Sequence, residues 1–367
     1  MLLVIGMAAV VALQPLWGGA PSGESPSPSP SLIAVVATES VQPTEGPTDT
    51  LAATPGPTPS PSTTAPSPTA TAVATPKPTP KPTPKPTAKP SPKPTPKPPV
   101  AGAWPRIGHI YEIVLENHEF ESIIGKSSAP YINSLAHQYG LATDYTAVSH
   151  PSLPNYLALW SGSTQGVKDD GHYDFTSGRT LADQIEAGGR SWHVAAENVP
   201  IDKCFTGDKA SGGDDDPKGK YARKHEPAIS WTSVSTNPTR CDNITDFTHF
   251  NPGLGNFWFI VPNLCHDMHD CSVDIGDAWL KGFLPRILNS AAFKSDGLIF
   301  LTFDEGSSSL GGGGKVATIV ISPKAKTSFS SGTAHNHYSL VRTIEALWGM
   351  PCMANSCSAN TLREFFP

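Results

Sequence analysis

Two stretches of the chain carry an ordered apolar pattern. Leu2 to Trp17 is a nearly unbroken apolar run, interrupted only by Gly6, Gln14 and Pro15. From about residue 107 onwards, short apolar runs alternate with segments of helical period. His109–Leu115 (HIYEIVL), Asn256–Val261 (NFWFIV), Gly297–Phe303 (GLIFLTF) and Val316–Ile321 (VATIVI) read as strands, Gly297–Phe303 as the clearest buried one. Trp192–Ala196 is a further strand, entered from a helix over Leu181–Ala187 that Gly188-Gly189 closes. The pattern also predicts a helix through Leu159 with Pro154 in its first turn, and one over Ile275–Leu288. Tyr338–Trp348 is an amphipathic helix with Leu340, Ile344 and Leu347 on one face. Strands apolar on both faces, alternating with helices, predict an α/β fold with a mostly parallel central sheet covered on both sides, a three-layer sandwich.

Composition sets the boundaries of that fold. Of 39 prolines, 24 fall between Pro21 and Val100, a stretch with no aromatic residue and no cysteine. Such a segment cannot bury enough apolar surface to offset its ordering entropy, so 21–100 is expected to be a disordered linker. The folded domain is expected over 101–367, long enough for one large α/β domain. From Lys77 to Lys97 a lysine recurs every four residues in a Pro-rich frame, which favours stiff, solvated polyproline II. The linker reads as a spacer, with association of its lysines with a cell wall or membrane surface as the sharper alternative. Six lysines against four acids give 1–100 a net of +2, so the formal −6 of the whole chain leaves −8 for the remainder. An acidic domain does not suit phosphate-neutralising contacts, and no nucleic-acid binding is expected.

The segment 1–20 reads as a signal or anchor. Sixteen residues are short for a bilayer span and suit a signal core, but no Lys or Arg precedes them, and Pro21 follows the small-residue Gly18-Gly19-Ala20 site. Either the true start lies upstream or the segment is retained, and the protein is expected to be secreted or anchored at the cell surface. Six cysteines agree with export. Spacing pairs Cys265 with Cys271 and Cys352 with Cys357, leaving Cys204 for Cys241. A zinc site lacks any C-x2-C spacing.

Ligands in open α/β sheets bind beyond the carboxyl ends of the strands. Glu116-Asn117 follow the first strand, Cys265-His266-Asp267-Met268-His269-Asp270 follow NFWFIVPN, and Asp304-Glu305-Gly306 follow GLIFLTF. Carboxylate, amide and imidazole donors on one edge suit a hard or borderline divalent cation. A fourth segment, Ser149-His150-Pro151-Ser152-Leu153-Pro154-Asn155-Tyr156, sets Ser152 just before the helix that Pro154 opens. Its hydroxyl reads either as an N-cap or as a nucleophile activated by a metal near the helix N-terminus. Asp214-Asp215-Asp216 reads as a loop rather than a calcium site, and Asn243-Ile244-Thr245 is a glycosylation sequon.

The segments ENHEFESIIG (Glu116–Gly125), HPSLPNYLALWSG (His150–Gly162), KHEPAISW (Lys224–Trp231), NLCHDMHD (Asn263–Asp270), LTFDEG (Leu301–Gly306) and HYSLVRTIEALWGM (His337–Met350) occur in this order. Together they resemble the bacterial phosphoesterase family of acid phosphatases and phospholipases C, within the alkaline phosphatase superfamily. The resemblance implies an alkaline phosphatase-like fold and a divalent metal held by Glu116, Asn117 and Asp304, with Ser152 as metal-activated nucleophile. Glu305 stands where some members carry a second Asp. The resemblance further implies that His225 and His269 bind phosphate oxygens or protonate the leaving group. It favours Asp267 and His269 over His266 as site residues, with His150 and His337 as second choices. The expected activity is phosphomonoester hydrolysis through a phosphoserine. The alternatives are a phospholipase C-type phosphodiesterase and a non-catalytic surface-binding protein on the same fold.

Overall fold

The computed structural model describes residues 103–200, 204–210 and 220–367. The expected signal segment, the Pro-rich linker and Asp214-Asp215-Asp216 lie outside the described residues. The sheet has eight strands: β1 (His109–Leu115), β2 (Gly140–Ala142), β3 (Trp192–Ala196), β4 (Ile244–Thr245), β5 (Phe257–Val261), β6 (Gly297–Phe303), β7 (Thr318–Ile321) and β8 (Phe329–Ser331). Their spatial order is β8-β2-β7-β6-β1-β5-β3-β4. All run parallel except β7, which is antiparallel to both β6 and β2. The centre is set by β6, β1 and β5, in register as Leu115 beside Phe303 and Ile113 beside Ile260.

Side-chain alternation along β5 shows how both faces are filled. Phe257 and Phe259 meet Trp160 of α2 (Ser152–Ser161), whose ring also packs on Trp192. Trp258 points the other way, against His193 and Phe250, and Phe250 continues to Phe283 of α4 (Val273–Phe283). One layer therefore contains α2, with α3 (Leu181–Ala187) and α6 (His337–Trp348) packed against it. The other contains α4 and α1 (Pro130–Gln138). Ala129 has no side chain to cap α1, and Asp277 of α4 accepts from the free N–H groups of Tyr131 (3.0 Å) and Ile132 (2.8 Å) instead. The arrangement is the expected three-layer α/β sandwich.

Several details differ from the sequence pattern. The helix expected over Ile275–Leu288 begins at Val273 and is interrupted at Leu284, because Pro285 cannot continue the hydrogen-bond ladder and starts a new short helix, α5 (Pro285–Leu288). The buried face of α6 comprises Leu340, Val341, Ile344 and Trp348, whereas Leu347 is only partly covered. Helix α2 opens at Ser152 rather than at Pro154. The three disulfides join the cysteines that spacing paired: Cys204–Cys241, Cys265–Cys271 and Cys352–Cys357. Among the described residues, no helix is long and apolar enough to cross a membrane.

Candidate active site

Because β6, β1 and β5 are adjacent and parallel, the residues after them emerge at one edge of the sheet. Glu116 follows β1 and is fully buried. Asn117 turns the chain with φ 54°, a left-handed conformation that Asn tolerates better than most residues. Its backbone N–H donates to Asp304 Oδ1 at 3.0 Å, tying the end of β1 to the end of β6. The Glu116 N–H donates to the Asp267 carbonyl at 2.8 Å, tying β1 to the loop after β5.

Ser152 enters from α2. Pro151 occupies the N-cap and offers no side-chain cap. The bond-making is done by Asn155, whose Oδ1 accepts from the Val148 (3.0 Å) and Ser149 (3.1 Å) N–H groups. Its Nδ2 donates back to the Ser149 carbonyl at 2.9 Å. Asn155 thus clamps the loop onto the helix and fixes Ser152 as the first helical residue. The Ser152 hydroxyl caps nothing. It faces Glu116 Oε2 at 3.1 Å and Glu305 Oε1 at 3.4 Å. One hydroxyl proton can serve only one of these carboxylates. One turn on, Tyr156 donates its hydroxyl to Glu116 Oε1 and stacks on His225 with ring centroids 5.0 Å apart.

His225 lies between two acids, its Nε2 3.3 Å from Glu116 Oε2 and its Nδ1 3.3 Å from Asp267 Oδ2. Asp267 Oδ1 accepts from the His269 N–H at 2.8 Å. The His269 ring is half-buried, pairing through Nδ1 with Asp270 (2.7 Å) and approaching Lys224 Nζ at 3.4 Å through Nε2. Lys224 is held by Asp170 Oδ2 at 2.8 Å, and Asp170 Oδ1 accepts from the Leu153 N–H at 2.9 Å. Asp170 therefore couples the ammonium to the start of α2, beside Ser152.

Crowding of acids in a dry site controls their protonation. Burial, then the neighbouring Asp304 and Asp267, pushes Glu116 well above the usual carboxylate range. Burial and then Glu305 raise Asp304 to about 8. Burial is also the main cause of the upward shifts at Asp267 and Glu305. His225 is pushed well below its ordinary value by burial, then by Lys224 and His269, and stays neutral. At Lys224, burial opposes the charge but Asp170 and Glu116 outweigh it, and its pKa rises.

These donors fit a divalent cation. Asp304 Oδ2, Asp267 Oδ2 and His225 Nε2 are buried and make no hydrogen bond among the described residues, and leaving such atoms unmet is costly. Ligand atoms of Glu116, His225 and His269 lie within 4.8 Å of one another. Oxygen donors with a neutral imidazole are a normal set for such an ion.

Of the residues singled out in the sequence, Glu116, Ser152, His225, Asp267, His269, Asp304 and Glu305 converge here. Asn117 joins them through its backbone. His150 lies at the rim, with Nδ1 2.6 Å from Glu305 Oε2. His337 stands behind the site, bonded through Nε2 to the Asp304 carbonyl (2.5 Å) and through Nδ1 to Tyr145 (3.0 Å). His266 turns away to Glu197 at 2.8 Å and stacks on Trp279. Sequence reasoning gave no role to Tyr156, Lys224 or Asp170. The first two sit inside quoted motifs, Tyr156 at i+4 from Ser152, so spacing was a usable signal. Asp170 lies in a polar loop with none.

The phosphoesterase family model matches residues 122–351. The chain belongs to the phosphoesterase family. It is 31% identical over 262 residues to an acid phosphatase of Aspergillus fumigatus, covering 69% of this chain and 57% of that protein. A phosphate-repressible acid phosphatase of Penicillium chrysogenum is 31% identical over 261 residues, covering 68% and 61%. A phosphatidylinositol-3-phosphatase of Mycobacterium tuberculosis is 32% identical over 267 residues, covering 72% and 85%. The chain thus spans about three fifths of the length of these fungal relatives. Among solved structures, a lipoteichoic acid synthase from Listeria monocytogenes is similar at TM-score 0.48 and 8% identity, covering 70% of this chain and 78% of that one.

Proposed function

We propose that this phosphoesterase-family chain is an exported, metal-dependent phosphomonoesterase of the acid phosphatase kind, with Ser152 as nucleophile. The observation that carries this reading is the convergence of Glu116 and Glu305 on the single Ser152 hydroxyl, beside buried donors that lack partners. Relatives named as phosphatases support the monoester reading.

In this mechanism the substrate phosphoryl group lies over the N-terminus of α2, and Ser152 Oγ attacks phosphorus. The hydroxyl proton passes to a facing carboxylate, Glu116 Oε2 being the nearer. The Oγ–P bond forms as the ester P–O bond breaks, and the alcohol leaves with a proton from His269. Lys224, kept charged by Asp170, offsets negative charge on the phosphoryl oxygens. Water then cleaves the phosphoserine, releasing phosphate and restoring the hydroxyl. A divalent cation held by Glu116, Asp304, Asn117 and Ser152 would supply positive charge to the alkoxide and the phosphoryl group. Glu116 with His225 and His269 is a second donor set, favoured by its close spacing.

Ser152→Ala is expected to abolish hydrolysis of p-nitrophenyl phosphate while leaving thermal unfolding unchanged; near-normal turnover in that variant would refute the nucleophile. Metal content of purified variants separates the donor sets. Loss in Asp304→Asn supports the first, and loss confined to His225→Gln transfers the ion to the second. Turnover of p-nitrophenyl phosphorylcholine in preference to p-nitrophenyl phosphate would replace monoesterase with a phospholipase C-type diesterase. Failure to hydrolyse any ester with metals supplied would leave a surface-binding protein. Export rests on the apolar Leu2–Trp17 run and on three disulfides, which persist in oxidising compartments. Recovery of the protein from the cytosol of its host would remove it.

A further inference from the structure

A cavity of about 200 Å³ opens beside Ser152 and is lined by Leu153, Asp170, His172, Lys209, Arg223 and Lys224 among others. Leu153 is the next residue after the nucleophile, and Lys224 belongs to the site just described, so the cavity adjoins the reaction centre. Several charged side chains stand in its lining, and most of them are paired. Lys224 is held by Asp170 at 2.8 Å, His172 by Asp208 at 2.6 Å, and Arg223 by Asp174 at 2.8 Å.

Lys209 is different. Its side chain is exposed and makes no ion pair among the described residues. Its position is nonetheless fixed by backbone. Lys209–Ala210 pairs antiparallel with Tyr221–Ala222, placing Lys209 opposite Ala222, and the Arg223 N–H donates to the Asp208 carbonyl at 2.9 Å. The hairpin thus locks Lys209 to the segment that continues into Lys224 and His225. A cation with no ion-pair partner among the described residues, at the rim of a cavity beside the proposed phosphate site, is a recognition element for a second anion.

We propose that Lys209 is a specificity-determining residue that binds a second anionic group, carboxylate or phosphate, on the leaving-group side of the substrate. The preferred substrates are then small phosphate monoesters whose alcohol carries its own negative charge. The cavity is smaller than the roughly 300–1,000 Å³ of drug-sized ligand sites, which suits a compact polar group rather than acyl chains. This inference rests on the phosphomonoesterase reading above.

The test compares kcat/KM on glycerol 3-phosphate, whose alcohol is neutral, with 3-phosphoglycerate and with propane-1,3-diol bisphosphate. Losing one charge-assisted contact is worth about tenfold. The wild type should therefore prefer one or both charged substrates by about that factor, and which one identifies the anion. Lys209→Ala should remove the preference and Lys209→Arg should keep it. Equal substrate ratios in the wild type and Lys209→Ala would overturn the proposal. A readout independent of turnover is calorimetric titration of the full chain carrying Ser152→Ala with propane-1,3-bisphosphonate. Affinity should fall about tenfold when Lys209→Ala is added. An unchanged affinity overturns the subsite. A wild type inactive on every ester but with the expected loss in this titration overturns the reaction and retains the anion site.

Discussion

Glu112 lies in the middle of β1, fully buried, with neither carboxylate oxygen hydrogen-bonded. Burial lifts its pKa from the ordinary 4.5 to about 8. The folded protein therefore keeps this proton through a range in which the unfolded chain has released it. Stability from this group is present below pH 4.5 and is lost as pH rises towards 8, at about 1.4 kcal/mol per pH unit between the two values. Melting temperatures of the wild type should fall from pH 5 to pH 8, and Glu112→Gln should flatten that fall. Identical slopes in both proteins would show that Glu112 does not carry the linkage. Glu112 also shows what sequence conceals at this scale: HIYEIVL reads as a strand, but nothing in it tells that its one acid is inside. Ser152, Glu116 and Asp304 were legible because they stand at strand or helix ends, where side chains face ligands. Asp170 was not, because its role depends on meeting Lys224 across 54 residues of chain.

At the scale of elements, α2 is the piece on which the site depends, and all ten of its residues are buried. Trp160, eight residues beyond Ser152, anchors the helix against Trp192, Phe257 and Phe259. Trp160→Ala should cost about 3–5 kcal/mol in denaturant unfolding. Turnover per folded molecule should fall as well, since the helix sets the position of Ser152. A loss of stability with normal turnover would show that the Asn155 clamp alone holds Ser152. The central strands were readable because burial on both faces leaves a continuous apolar run. The short strands β2, β4 and β8, at the sheet edges or next to one, were not, having two or three residues and no such run. Nor was the reversed direction of β7, since strand direction follows from connection geometry rather than from composition. Helix α1 escaped notice because only Ile132, Leu135 and Ala136 of its nine residues are buried.

Across the whole molecule, the Cys265–Cys271 disulfide closes a six-residue interval that contains both Asp267 and His269. Within it, Met268 adopts φ 82°, and the Asp270 N–H returns to the Leu264 carbonyl at 2.6 Å. A loop this tight, joined by the Asp267 carbonyl to the Glu116 N–H, holds one wall of the site against another. Replacing the pair (Cys265→Ser with Cys271→Ser) should lower phosphatase activity several-fold. Replacing Cys352 and Cys357 in the same way, far along the chain from these residues, should affect melting more than turnover. Equal activity losses in the two double variants would show that the ring has no special hold on the site. The covalent link therefore ties the firmness of one wall to the redox state of its surroundings: with both thiols reduced, the loop that carries Asp267 and His269 keeps only its hydrogen bonds, and turnover is expected to be slower than in the oxidised chain.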